Sequence, residues 1–135
     1  MVGREEIEQA LRALNEAENS RPHSTVESIS ARIDELMAPD VEGWTNGRHV
    51  PNREAERRAE RWIFGHLADY HRDIELLIIE PPRATITWTI RGTAGGEQVV
   101  VPGSSTFEFD DDGLIRRYWL YCDATRFAPL SRTSS

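Results

Sequence analysis

"STFEFDDDGLIRRYWLYCD", residues 105–123, decides the fold of this chain. Two extended runs flank a reversal at Asp110-Asp111-Asp112-Gly113, where the acids favour a turn and the glycine supplies the left-handed backbone that closes it. The second run carries aromatics on both parities, Tyr118 on one and Trp119 and Tyr121 on the other. A strand wetted on one side needs only one apolar parity. This strand therefore calls for a core beneath it and a cover above it.

Working backwards, the chain remains β in character. "QVVVPGSSTFEF" (98–109) reads as a strand bent or bulged at Pro102-Gly103. "TAGGE" (93–97) has hairpin composition. "ATITWTIRG" (84–92) alternates strictly, with Ile86, Trp88 and Ile90 on one face and Thr85, Thr87, Thr89 and Arg91 on the other. "IELLIIE" (74–80) is a continuous apolar run, as in a strand covered on both faces, and Pro81-Pro82 ends it.

The N-terminal half is helical. Residues 4–19 place Ile7, Ala10, Leu11 and Leu14 on one stripe. After the loop "NSRPH", Ser24 and Glu27 have capping-box spacing before a second helix with Val26, Ile29, Ile33 and Leu36 on its apolar face; "APD" at 38–40 ends it. "VEGWTNGRHV" is a short extended segment with a turn at Asn46-Gly47. Asn52 then caps a third helix, 53–68, whose inner stripe reads Ala55, Ala59, Trp62, Ile63, His66 and Leu67. Three helices followed by a meander of long strands predict an α+β fold with helices on one face of a curved, mostly antiparallel sheet. The reading assigns one domain to residues 1–128 and a loose tail to 129–135.

Composition narrows the function. The net charge of −7 leaves no basic surplus for phosphates, which argues against nucleic acid. The arginines of "REAERRAER" (53–61) alternate with glutamates at helical pair spacing and read as a solvated, self-paired face. Cys122 is the one cysteine and has no disulfide partner. No apolar run approaches the roughly 20 residues of a membrane span, and no signal-peptide centre is visible, so a cytoplasmic protein without membrane contact is expected. The four histidines are scattered without metal-ligand spacing, and neither metal nor cofactor is expected.

Taken in order, "MAPDVEGW", "ADYHRDIELLI", "ATITWTIRGTAGGE" and "STFEFDDDGLIRRYWLYCD" resemble the SnoaL-like polyketide cyclases of the nuclear-transport-factor-2-like superfamily, over about residues 5–127. The resemblance implies a cone: three helices on a strongly curved sheet, a pocket between them, and dimers through the sheet's outer face. On the last strand it turns Tyr118, Leu120 and Cys122 inward and Ile115, Arg117, Trp119, Tyr121 and Asp123 outward, toward a second copy.

The catalytic residues of such relatives do not carry over. Their final-strand Asp corresponds to Leu120, and the Arg-x-Asp pair of epoxide hydrolases is missing from "TITWTI". The Tyr, Asp base and second oxyanion donor of ketosteroid isomerases fall on Ala10, Thr45 and Ser105. Tyr118 and His71 are the remaining acid/base candidates; each also reads as structure, Tyr118 as a pocket-filling ring and His71 as a surface residue. The expected pocket collects Trp44, Asn46, Trp62, His66, Trp88, Tyr118, Leu120 and Cys122 around a small hydrophobic, carbonyl-bearing molecule. Two readings stay open: an isomerase- or lyase-type enzyme without metal, and a non-catalytic binding or dimerising domain.

Overall fold

In the computed structural model, which describes residues 1–132, the stripe at Ile7, Leu11 and Leu14 buries helix α1 (Arg4–Asn19) against the sheet. Helix α2 (Val26–Asp34) buries Ile29 and Ile33, and its cap is Thr25, whose hydroxyl accepts from the Ser28 N–H at 3.1 Å. Ser24, the expected cap, lies one residue outside. Asn52 caps α3 (Arg53–His66), accepting from Ala55 N–H at 3.0 Å. The strands are β1 (Met37–Thr45), β2 (Arg48–Val50), β3 (His71–Glu80), β4 (Arg83–Ala94), β5 (Glu97–Phe109) and β6 (Ile115–Cys122). They form one open sheet in the order β2-β1-β6-β5-β4-β3, antiparallel except where β1 runs parallel to β6. The α+β expectation of helices on a mostly antiparallel sheet holds.

Several local expectations are corrected. "APD" does not follow a helix end as a stop; Ala38 is buried and the segment belongs to β1. Strand β3 lies at the sheet edge, not between covering layers, and its outer residues Leu76 and Ile78 are 59% and 63% exposed. Pro102 and Gly103 keep regular register with β4, opposite Thr89 and Trp88. Strand β6 reaches only to Gly103, so Pro102 needs no ladder hydrogen bond on that side. The bulge lies instead at Arg116, between the pairs Glu108–Arg117 and Phe109–Ile115. One extra residue reverses side-chain parity, which sends Ile115 inward and buries it fully. The tail is not loose as far as it is described: a short helix α4 (Ala128–Arg132) buries Leu130 completely. Residues 133–135 of that expected tail lie outside the described residues.

The core fills the space between the helices and the inner sheet face, from Ile7, Leu11 and Ile33 to Ile86, Phe107 and Ile115. Gly43 of β1 is part of this packing. A Cβ there would sit 2.3 Å from the Tyr118 ring, so the bare glycine gives the aromatic its place. No helix among the described residues is long and apolar enough to cross a membrane.

Candidate functional site

Helix α3 and the inner face of the sheet enclose a cavity of about 210 Å³. Its apolar wall comprises Ile63, Trp88, Ile90, Leu120 and Phe127. The indole of Trp88 is fixed by its Nε1–H, which donates to Ser105 Oγ at 2.9 Å, and by Gly103 beneath it. A Cβ on Gly103 would come within 2.4 Å of that ring and 2.8 Å of the Tyr121 carbonyl oxygen. A groove of about 440 Å³ shares Thr45, Asn46, Ala59 and Ala124 with the cavity.

The polar wall is a buried charge cluster built from four elements: α1, the turn after it, α3 and β3. Arg21, in the 3-10 turn Arg21–His23 after α1, is only 4% exposed. Its guanidinium donates to the Glu18 carboxylate, to the Glu18 carbonyl at 2.9 Å, and to the Glu60 carboxyl of α3. It also lies over Tyr70, 3.9 Å from the ring centroid. One helical turn before Glu60, Glu56 accepts a hydrogen bond from Tyr118 Oη at 2.5 Å. Arg72 completes the set from β3.

These neighbours separate the carboxyls electrostatically. Burial pushes Glu18 up, but Arg21 and then Arg72 outweigh it and hold Glu18 below the usual carboxylate range. Burial, the Glu18 charge and Glu56 raise Glu60 well above that range, against Arg21. Glu18 and Glu60 share the Arg21 guanidinium, and of the two carboxyls Glu60 is the one that holds a proton more readily. Burial also raises Glu56, although the Tyr118 hydroxyl opposes the shift. Tyr118 is itself pushed up by burial and by Glu56, so it stays a neutral donor. Two carboxyls with raised pKa values, spaced i and i+4 on one helix beside apolar walls, can give or take a proton where an exposed glutamate is always charged.

The residues expected at the site divide. Asn46, Trp88, Leu120 and Cys122 line the cavity, and Tyr118 reaches it through Glu56. The Asn46 side-chain oxygen accepts from Cys122 N–H at 3.0 Å, which ties the turn to β6. Burial pushes the Cys122 thiol up, away from reactivity. Trp44 is on the outer face, stacked on Trp119 at 5.5 Å, because Gly43 and Thr45 take the inward parity of β1. Trp62 is 39% exposed and His66 hydrogen-bonds the Trp62 carbonyl at 2.7 Å; neither lines the cavity. Helix α3 is rotated from the expected stripe, since Glu56, Glu60, Ile63 and Leu67 face inward. "REAERRAER" is thus not a self-paired surface: Arg57 reaches Asp34, and Arg53 reaches the carbonyls of Asp34 and Met37. His71 is exposed and paired with Asp73 at 3.0 Å, because strand alternation turns Arg72 inward in its place.

Glu18, Arg21, Glu56, Glu60 and Arg72 were not among the expected site residues. One signal was available: Glu18 continues the stripe of Ile7, Leu11 and Leu14, and Glu56 and Glu60 precede Ile63 and Leu67 at the same spacing. A charge on an apolar stripe marks a polar buried site. Arg21 has no such signal, since it sits in a turn. Among the described residues no group of His, Cys, Asp and Glu side chains is arranged to hold a metal ion.

Comparison with known proteins places this geometry in a family. A search of curated proteins by sequence finds no match. Among solved structures, a protein described as a SnoaL-like polyketide cyclase from Jannaschia sp. CCS1 is similar at TM-score 0.76 and 15% identity, over 97% of this chain and 93% of that one. AclR of Streptomyces galilaeus, described as a hydroxylase, aligns at TM-score 0.78 and 14% identity, over 96% and 98% of the two chains. An LEH-like epoxide hydrolase from M. tuberculosis aligns at 0.70 and 18%, over 96% and 92%. At such identities the likeness concerns the fold. The family model for the SnoaL-like domain, however, matches residues 26–118, well over half of the sequence, and the chain belongs to the SnoaL-like domain family.

Proposed function

We propose that this protein catalyses proton transfer on a small hydrophobic, carbonyl-bearing molecule: an isomerisation, dehydration or cyclisation that needs no metal. The observation that carries this reading is the pair of raised carboxyls, Glu56 and Glu60, on one helix of a cavity whose opposite wall is apolar. The final-strand position where relatives carry an Asp is Leu120 here, and α3 supplies carboxyls in its place. In its ionised form Glu56 accepts a proton from the carbon next to the carbonyl, and the C–H electron pair becomes the enolate. Glu60 in its protonated form donates to the enolate oxygen; it then takes that proton back while Glu56 returns its own to another carbon, which completes an isomerisation. The volume of about 210 Å³ lies below the ~300–1,000 Å³ of drug-sized sites, which favours one or two fused rings.

The test is hydrogen exchange. NMR in D₂O should show the protein accelerating loss of the α-protons of 2-tetralone, with the acceleration lost in both Glu56→Gln and Glu60→Gln. Unchanged exchange in the two variants would exclude carboxyl chemistry from α3. A second reading, a binding protein without chemistry, is favoured by Leu120 and by the engagement of Glu60 with Arg21. It predicts binding of the same ketone with no exchange. We further propose that the outer sheet face pairs with a second copy, on the strength of the Trp44–Trp119 stack and the exposed Tyr121, Leu76 and Ile78.

A further inference from the structure

Arg72 is 6% exposed and lines the cavity from the inner face of β3, opposite Ile90. It is held rigidly. Its backbone N–H donates to Asn19 Oδ1 at 2.6 Å, its carbonyl accepts from Asn19 Nδ2 at 2.9 Å, and its Nε–H donates to Asn15 Oδ1 at 2.8 Å. The guanidinium is nevertheless incomplete. Nη2 is buried without a hydrogen-bond partner, and among the described residues no carboxylate lies within ion-pair distance of Arg72.

An arginine cannot shed its proton to escape burial, and buried cations are ordinarily paired. The carboxyls nearby are committed elsewhere: Glu18 and Glu60 hold Arg21, and Glu56 holds Tyr118. The cavity wall thus carries, at Arg72, a positive charge without an ion pair. The wall formed by Ile63, Trp88, Ile90, Leu120 and Phe127 is apolar, and the volume is small. A single unpaired charge matches a monoanion, whereas a phosphate dianion would bring a second charge toward Glu18.

We propose that the cavity's ligand is a small hydrophobic carboxylic acid whose carboxylate docks on the guanidinium of Arg72. This rests on the reading of the cavity as a ligand site, and it narrows the substrate class to a keto acid or an unsaturated acid, for which a neutral ketone such as 2-tetralone is a weaker-binding stand-in. Because Asn19 holds the Arg72 backbone and Asn15 holds its guanidinium at Nε, little ordering would be needed on binding.

The test compares 2-naphthoate with 2-acetylnaphthalene, which have the same ring system and differ in a carboxylate against a methyl ketone, by titration calorimetry with the full chain. The carboxylate should bind at least about tenfold more tightly, as one charge-assisted hydrogen bond warrants. In Arg72→Met the carboxylate should fall to the ketone's affinity while the ketone changes by less than about twofold. If the ketone binds wild type as tightly as the carboxylate, or Arg72→Met keeps the preference, this inference is overturned and the cavity reading stands. If neither compound binds, the cavity reading fails as well. Arg72→Met also loses the bond to Asn15; should it not fold, the wild-type preference alone decides.

Discussion

Removing the Arg21 guanidinium would leave Glu18 and Glu60 facing each other, largely buried and without a cation between them. Breaking one partner of a buried ionic group costs about 3–5 kcal/mol, against less than about 1 kcal/mol for an exposed pair such as Arg12–Glu8. Urea denaturation of Arg21→Leu should therefore show a loss of several kcal/mol, and a loss of under about 1 kcal/mol would mean that the cluster is open to solvent. Glu60 adds a pH signature. Its folded-state pKa lies well above 4.5, so above pH 4.5 the folded protein keeps a proton that the unfolded chain has lost. The stability tied to that proton is complete below pH 4.5 and disappears as pH rises through the raised value. Glu60→Gln resembles the protonated form and should flatten this decline. Glu18 has the opposite sign, with stability present above pH 4.5 and lost as pH falls, so the two titrations are separable by variant. Gly103→Ala tests the packing: its methyl group would strike the Trp88 ring and a backbone oxygen, and overpacking of this kind costs about 1–3 kcal/mol with a change in Trp88 emission.

At the scale of the elements, helix α3 was the least legible. Its charge alternation fits an exposed, self-paired helix, and the apolar stripe through Trp62 and His66 is at least as strong as the true one. What rotates it is the contact set: Arg53 and Arg57 anchor its first turns to α2 and β1, and Glu60 is drawn inward by Arg21. Its start, by contrast, was readable from Asn52 alone, because a cap acts through bonds to its own next turn. Asn52→Ala should cost about 1 kcal/mol in equilibrium denaturation without altering ligand affinity. Strand β6 shows the same split. The alternation of Tyr118, Leu120 and Cys122 was legible, whereas the parity of Ile115 was not, since a bulge is decided by pairing with β5.

At the scale of the molecule, the outer sheet face carries Trp119 and Tyr121 next to the Trp44 ring, with Leu76 and Ile78 on the edge strand. A wet face of this kind is costly, and a second copy would cover it. Sedimentation at tens of micromolar (on the order of working concentrations in vitro) should show a dimer, weakened by Trp119→Ala while 2-naphthoate binding persists. A monomer across that range would remove the proposal.

The α+β class, the start of α3, the inward face of β4 and the sequence of turns were determined by the chain itself, because periodicity, caps and left-handed glycines are local and each reports on its own few residues. The tertiary structure alone decided that β3 forms an edge, that Trp44 faces outward, and that Glu18, Arg21, Glu56, Glu60 and Arg72 meet at one cavity. The pairs in that cluster are separated by up to 62 positions in the chain, as Glu56 and Tyr118 are. A buried charge is tolerable only beside its partners, and no local pattern can announce partners that only folding brings together.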